Sequence, residues 1–199
     1  MNIKRLLDTT ATELRKLNKE EVLLAIKANE GRTIMSEVVC TVTPRVVGNV
    51  SNGELAAALS ADMILLNTMD VFDPVIVGID DTDNPIEKLK DLTGKLVGAN
   101  LEPVDKNADL SELKDELSKG RHATVETFKK AEELGMDFIL LTGNPKTGVS
   151  NKSIEEAAKL AKENFNGIII AGKMHGAGVN EKVVDLKSIE GLIENGADM

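Results

Sequence analysis

The stretch Gly135–Gly143 (GMDFILLTG) sets a small residue, one apolar residue and an aspartate ahead of a hydrophobic run. The same joint stands at Ser60–Asn67 (SADMILLN), and Asn195–Met199 (NGADM) repeats it after the helical stretch Leu186–Glu194. Unbroken Ile, Leu and Val residues bounded by turn formers suit strands buried on both faces, as in a parallel sheet. Five runs of this kind follow one another: Thr33–Cys40 (TIMSEVVC), Met63–Met69 (MILLNTM), Leu96–Glu102 (LVGANLE), Phe138–Gly143 (FILLTG) and Gly167–Gly172 (GIIIAG). The joint opens the second and fourth runs. Its third copy predicts that the sequence stops where a sixth strand begins.

Helical signals fill the intervals. Asn18 followed by Glu21 reads as a capping box ahead of EEVLLAIKANEG, with Gly31 to close it. Asn84-Pro85 opens IEKLKDL and Gly94 ends it. His122–Leu134 and Ser153–Asn164 carry apolar residues at helical spacing. Alternating strands and helices make an α/β protein with a parallel sheet. A doubly wound sheet can finish at five strands, whereas a (β/α) TIM-type barrel needs about eight. No strand is followed by G-x-G-x-x-G, and the stop at a sixth-strand joint favours the barrel. The expectation is therefore an incomplete barrel, its first five strand-helix units behind an N-terminal helical cap. No Pro/Gly/Ser-rich linker divides it, so residues 1–199 are read as a single α/β domain.

Composition narrows the function. Asp and Glu outnumber Lys and Arg by 33 to 24, a formal charge of -9, which repels nucleic-acid backbones and anionic lipid. Phe72, Phe128, Phe138 and Phe165 are the only aromatics, so there is little to stack on bases. Cys40 is the sole cysteine, which excludes an intrachain disulfide and a cysteine-based zinc cluster. No apolar run approaches the roughly 18 residues of a membrane span. The expectation is a soluble cytoplasmic protein with a small-molecule partner and no nucleic-acid or membrane partner.

In both architectures ligands bind at the carboxyl ends of the strands. Each predicted strand ends in polar groups: Glu37 and Cys40 on the first, then Asn67, Thr68 and Asp70 on the second. The third holds Asn100 and Glu102 on one face, the fourth Thr142 and Asn144, and the fifth Lys173 and His175. Charges inside hydrophobic runs are costly, so Glu37, Glu102 and Lys173 imply either a structural ion-pair network or a shared site. As a site, Glu102 serves as acid/base and Lys173 as electrostatic or Schiff-base group, with Glu37 and His175 as further catalytic candidates. His175 is a proton shuttle or a hydrogen-bonded loop histidine. Cys40 packs as a small hydrophobe.

Two glycine-rich loops admit a phosphate reading beside a turn-only one. Gly143–Ser150 (GNPKTGVS) and Ala171–Gly178 (AGKMHGAG) could hold an anion through backbone amides and a lysine. Lys146, Gly148, Gly172 and Gly176 join Asn67, Asn100, Thr142 and Asn144 as substrate-binding candidates. Neither loop is a Walker motif. The long segment Asp70–Asn84 reads as a lid or oligomer contact, and its Asp80, Asp81 and Asp83 as a solvated turn or a cation site.

SEVVCTVTP, ADMILLNTMDVFDP, VGANLEPVD, FILLTGNPKTGVSN and IIIAGKMHGAG together resemble a bacterial family of uncharacterised TIM-barrel proteins, loosely labelled phosphoenolpyruvate-phosphonomutase-like or haloacid-dehalogenase-like. GNPKTGV and AGKMH are the most specific segments. The chain matches the N-terminal two-thirds of such proteins. The mutase relationship implies Mg²⁺, an enolate-like intermediate and C–C or P–C chemistry on a small acid. Its metal would fall to paired acidic residues, here Asp70 or Glu102, a partial match. The dehalogenase nucleophile motif D-x-D-x-[TV] is absent after the first strand, which sets that label aside.

Three functions compete. The first is a lyase or isomerase acting on a small anionic carbonyl compound, phosphorylated or not. The second is a metal-assisted hydrolase using the same carboxylates. The third is a non-catalytic metabolite-binding protein. A barrel wall stopped after five strands exposes both edges, which implies either a homo-oligomer or a chain poorly stable in solution.

Overall fold

A computed structural model of the chain describes residues 4–42, 44, 47–80, 82–105, 107, 116–143, 146–173, 179, 181–183 and 185–199. Helices follow the local signals. A short α1 (Ala11–Leu14) precedes α2 (Lys19–Ala28), whose capping box joins Asn18 and Glu21. Then come α3 (Asn52–Ala58) and α4 (Pro85–Thr93). The Asn84 side chain caps α4 by accepting from Ile86 and Glu87, and Gly94 ends it in the left-handed conformation at φ 65°. Further on lie α5 (Val125–Glu133), α6 (Asn151–Asn164) and α7 (Leu186–Glu194). None is long and apolar enough to cross a membrane.

The strands are β1 (Met35–Val39), β2 (Met63–Asn67), β3 (Leu96–Leu101), β4 (Phe138–Leu141) and β5 (Ile168–Ala171). They form one sheet in the order β1-β2-β3-β4-β5. The β1–β2, β2–β3 and β4–β5 pairs are parallel. This is the consecutive order of a barrel wall, which a doubly wound sheet would reverse. Strands β2 to β5 are buried nearly throughout, as their composition requires. Strand β1 corrects the expectation of burial on both faces. Its residues alternate exposed and half-buried, with Met35 and Val39 more than a third exposed, because it lies at the sheet edge.

The chain divides into two compact units, with the boundary inside β3. The first holds residues 1–69, 74–99 and 134–137. Its core includes Met63, Ile64, Leu65, Leu66, Ile86 and Leu89, all fully buried. A Cβ on Gly53 would lie 2.9 Å from Leu89, so a glycine lets α3 close onto α4. The second unit holds residues 70–73, 100–133 and 138–199, with Leu101, Phe128, Phe138, Ile139 and Leu141 at its centre. Burying each such side chain contributes about 2 kcal/mol.

The repeated aspartate joint is one device used three times. In the first unit, the Asp62 carboxylate accepts the Ile34 N–H at 2.8 Å, and the Asp62 N–H returns to the Ile34 carbonyl at 2.8 Å. Asp137 does the same with Val97, again at 2.8 Å both ways. In the second unit, Asp198 grips Ile169 at 2.8 Å in each direction. The Ala171 N–H then donates to the Met199 carbonyl at 2.9 Å, so the residues after α7 run along β5.

Candidate functional site

At the carboxyl end of β3, Glu102 is only 1% exposed. Arg121 meets it twice. Arg121 Nη2 donates to Glu102 Oε1 at 2.6 Å, and the Glu102 N–H donates to the Arg121 carbonyl at 2.8 Å. The Ala123 N–H donates to the Glu102 carbonyl at 2.9 Å, so His122 forms an isolated parallel bridge with Glu102 just past β3. A short 3-10 turn, Lys119–Arg121, carries the arginine. Asp70 holds that turn: its carboxylate accepts from Ser118 and the Gly120 amide as well as from its own neighbours Phe72 and Asp73, and the Val71 N–H donates to the Gly120 carbonyl. A Cβ on Gly120 would lie 1.6 Å from Asp70 Oδ1, so only glycine fits. Burial pushes the Asp70 carboxyl up. Hydrogen bonds from Ser118 and from the Phe72, Asp73 and Gly120 amides outweigh it and hold the group below its ordinary range.

A second cluster surrounds the start of α6. The Lys173 side chain is 3% exposed and donates to Glu181 at 2.9 Å. The same Glu181 oxygen accepts the Asn151 N–H at 2.8 Å, in the first turn of α6. Burial raises the Glu181 carboxyl, as does the charge of Asp105. The Lys173 and Asn151 hydrogen bonds and the lysine charge override both, so it titrates below its usual value. Ser150, the N-cap of α6, donates to Asp105 at 2.8 Å, and the Asp105 N–H donates to the Gly148 carbonyl at 2.8 Å. Lys173 also lines a cavity of about 240 Å³ with Ile154, Ala171, Val183, Ile189 and Leu192.

Several expectations change on this geometry. Glu37 lies exposed on β1, not inside a core, because that strand is an edge; it is no buried charge. The anion at the start of α6 is the chain's own Glu181, at the place where the sequence suggested a phosphate. Gly148 serves a turn at φ 72°, and Lys146 shares that left-handed conformation at φ 67°. A Cβ on Gly143 would strike Val149 at 2.5 Å, whereas one on Gly172 would meet nothing within 4 Å. Asn67 caps its own strand by accepting the Thr68 N–H at 2.8 Å, and buried Cys40 donates its thiol to the Asn67 carbonyl at 3.1 Å. Thr68 itself stands at φ 66°, strained for a β-branched residue. Asn100 and Thr142 are buried, and the Thr142 hydroxyl has no hydrogen-bond partner among the described residues. His175, Asn144, Gly176 and Asp81 lie outside the described residues.

Both carboxylates that the sequence offers to a metal are already engaged. Asp70 spends its carboxylate on the turn, and Glu102 is engaged by Arg121. Among the described residues no group of three or more His, Cys, Asp or Glu is placed to hold a metal ion. The sequence reading missed Arg121 and Glu181, whose partners lie 19 and 8 residues away. It also missed Lys90, which pairs with Asp137 at 2.9 Å. The signal that could have found them was the unbalanced charge of Glu102, Lys173 and Asp137 at strand ends.

A family model described as a domain of unknown function (DUF7916) matches residues 7–199; neither the mutase nor the dehalogenase label stands in that description. No curated protein matches. Among solved structures, Rhizobium etli pyruvate carboxylase aligns at a TM-score of 0.51 and 12% identity, covering 94% of this chain and 17% of that one. A dihydrodipicolinate synthase aligns at 0.49 and 13%, covering 84% and 54%. The type I 3-dehydroquinate dehydratase of Clostridium difficile aligns at 0.48 and 13%, covering 95% and 65%. The chain thus spans less than two thirds of each. At these identities the pyruvate carboxylase likeness speaks to the fold alone.

Proposed function

The chain belongs to the DUF7916 family, and we propose that it is a lyase-type enzyme acting on a small anionic carbonyl compound. The observation that carries this reading is Lys173, an ammonium almost enclosed at the end of β5 and opening on a largely apolar cavity. Taking a lysine out of water is costly and is offset here by Glu181. A fixed cation in a dry site stabilises the oxyanion that develops when a bond next to a carbonyl breaks. Lys173 therefore meets the enolate oxygen. Glu102, Asn100 and Thr142 stand at the ends of β3 and β4 and do not line that cavity; a substrate that reaches from Lys173 to those strand ends would have its proton moved by Glu102 and be oriented by Asn100 and Thr142. An isomerisation through the same enolate would use the same groups. If Lys173 instead forms an imine, its proton passes to Glu181, already hydrogen-bonded, before the amine attacks and water leaves. Such chemistry on free metabolites suits the cytoplasm.

Enolate formation is read directly as exchange of α-protons for deuterium. The protein would be incubated in heavy water with pyruvate, oxaloacetate, 2-oxoglutarate and dihydroxyacetone phosphate, and followed by NMR. Exchange that falls about 10²-fold or more in Lys173→Met and Glu102→Gln, with folding retained, is the expected result. Borohydride present during the incubation then separates the two roles of Lys173, since only an imine is trapped. Exchange with none of these compounds, or exchange untouched by both substitutions, overturns the reading.

A further inference from the structure

We propose that Arg121 anchors the anionic end of the substrate, gripping two coplanar oxygens of a carboxylate or phosphate. The proposal rests on the reading of a small anionic substrate and names the group that selects it. Its starting point is an asymmetry in the Glu102–Arg121 pair. Glu102 is 1% exposed, whereas the Arg121 side chain is 21% exposed. The carboxylate is thus shut away from solvent, while the guanidinium is partly open to it. Only Nη2 is engaged, at 2.6 Å; Nε and Nη1 make no hydrogen bond among the described residues. A planar guanidinium held at one corner still offers a pair of parallel N–H groups, the fork that matches a carboxylate or a phosphate.

The holding is more elaborate than charge neutralisation needs. Two backbone hydrogen bonds, of 2.8 and 2.9 Å, tie residues 121–123 to Glu102. Asp70, bonded to Ser118 and the Gly120 amide, and a glycine with no room for a Cβ fix the turn before them. Ordering in advance lowers what a ligand must supply on binding. The buried Thr142 hydroxyl is a second group awaiting a partner. It follows β4, the neighbour of β3 in the sheet, so both stand at strand carboxyl ends. A ligand oxygen would satisfy it.

Binding to the resting full chain tests this without any turnover, so it stands or falls apart from the lyase reading. Calorimetric titration with oxalate and with inorganic phosphate is compared in wild type, Arg121→Lys and Arg121→Met. Arg121→Lys keeps a cation beside Glu102 but removes the fork, and thermal melting checks its folding if Arg121→Met fails to fold. The expected result is binding of at least one probe, weakened roughly 30-fold in a folded Arg121→Lys. Which probe binds tells a carboxylate site from a phosphate site. Binding of neither probe to wild type, or equal binding to wild type and Arg121→Lys, overturns the proposal.

Discussion

The Asp198 carboxylate accepts the Ile169 N–H at 2.8 Å, an arrangement that Asp137 repeats on Val97 and Asp62 on Ile34. Each aspartate stands just past a helix and reaches back to the start of the preceding strand. It satisfies an N–H that the strand ladder leaves over.

Removing one clamp should therefore cost more than a surface change. Asp62 is 8% exposed, and Asp62→Ala leaves the Ile34 N–H unpaired. We expect a loss of about 1.5–3 kcal/mol in urea unfolding, the range for a hydrogen bond to a charged group. Asp62→Asn keeps an acceptor and should lose less. Equal losses in the two variants would contradict the clamp.

Asp137 adds a pH dependence. Burial pushes its carboxyl above the ordinary range, against the opposing pull of Lys90 and the Val97 N–H. A raised folded value means that the native state binds the proton more tightly, so this group's contribution falls as pH rises above its unfolded value. Lys90→Met leaves the charge without its partner and deepens that fall. The variant should be about 3 kcal/mol less stable than wild type at pH 7. The difference should narrow near pH 4, measured by urea unfolding across the range.

Glu181 should behave oppositely. Its folded value is lowered, so its contribution is present above its unfolded value and is lost as pH falls through the folded one. The stability gap between wild type and Glu181→Gln should be widest at neutral pH and close in acid. A gap that widens on acidification would refute the Lys173 pairing.

Gly120→Ala tests the turn that presents Arg121. The added methyl meets Asp70 Oδ1 at 1.6 Å and the Val71 amide nitrogen at 2.8 Å, and the second cannot swing away. Melting should show a loss of about 1–3 kcal/mol, the usual cost of overpacking. Oxalate and phosphate binding should weaken as Arg121 shifts. An unchanged melt would mean that Asp70 does not brace the turn.

The sequence by itself determined what depends on near neighbours along the chain. The box at Asn18 and Glu21, the Asn84-Pro85 start and Gly94 stop, and the runs MILLN, LVGANL and FILL were all legible. Capping needs groups three residues apart, and burial on both faces needs continuous apolar residues. From these, crossover geometry yields the strand order. The tertiary structure decided the rest. It put MSEVV at an edge, where Met35, Glu37 and Val39 are exposed. It also gave Glu102 to Arg121, Lys173 to Glu181 and Asp137 to Lys90. A charge buried in a run announces that it needs a partner. Which cation or carboxylate answers depends on how loops and helices return to the strand ends, and that distance is set in space, not along the chain.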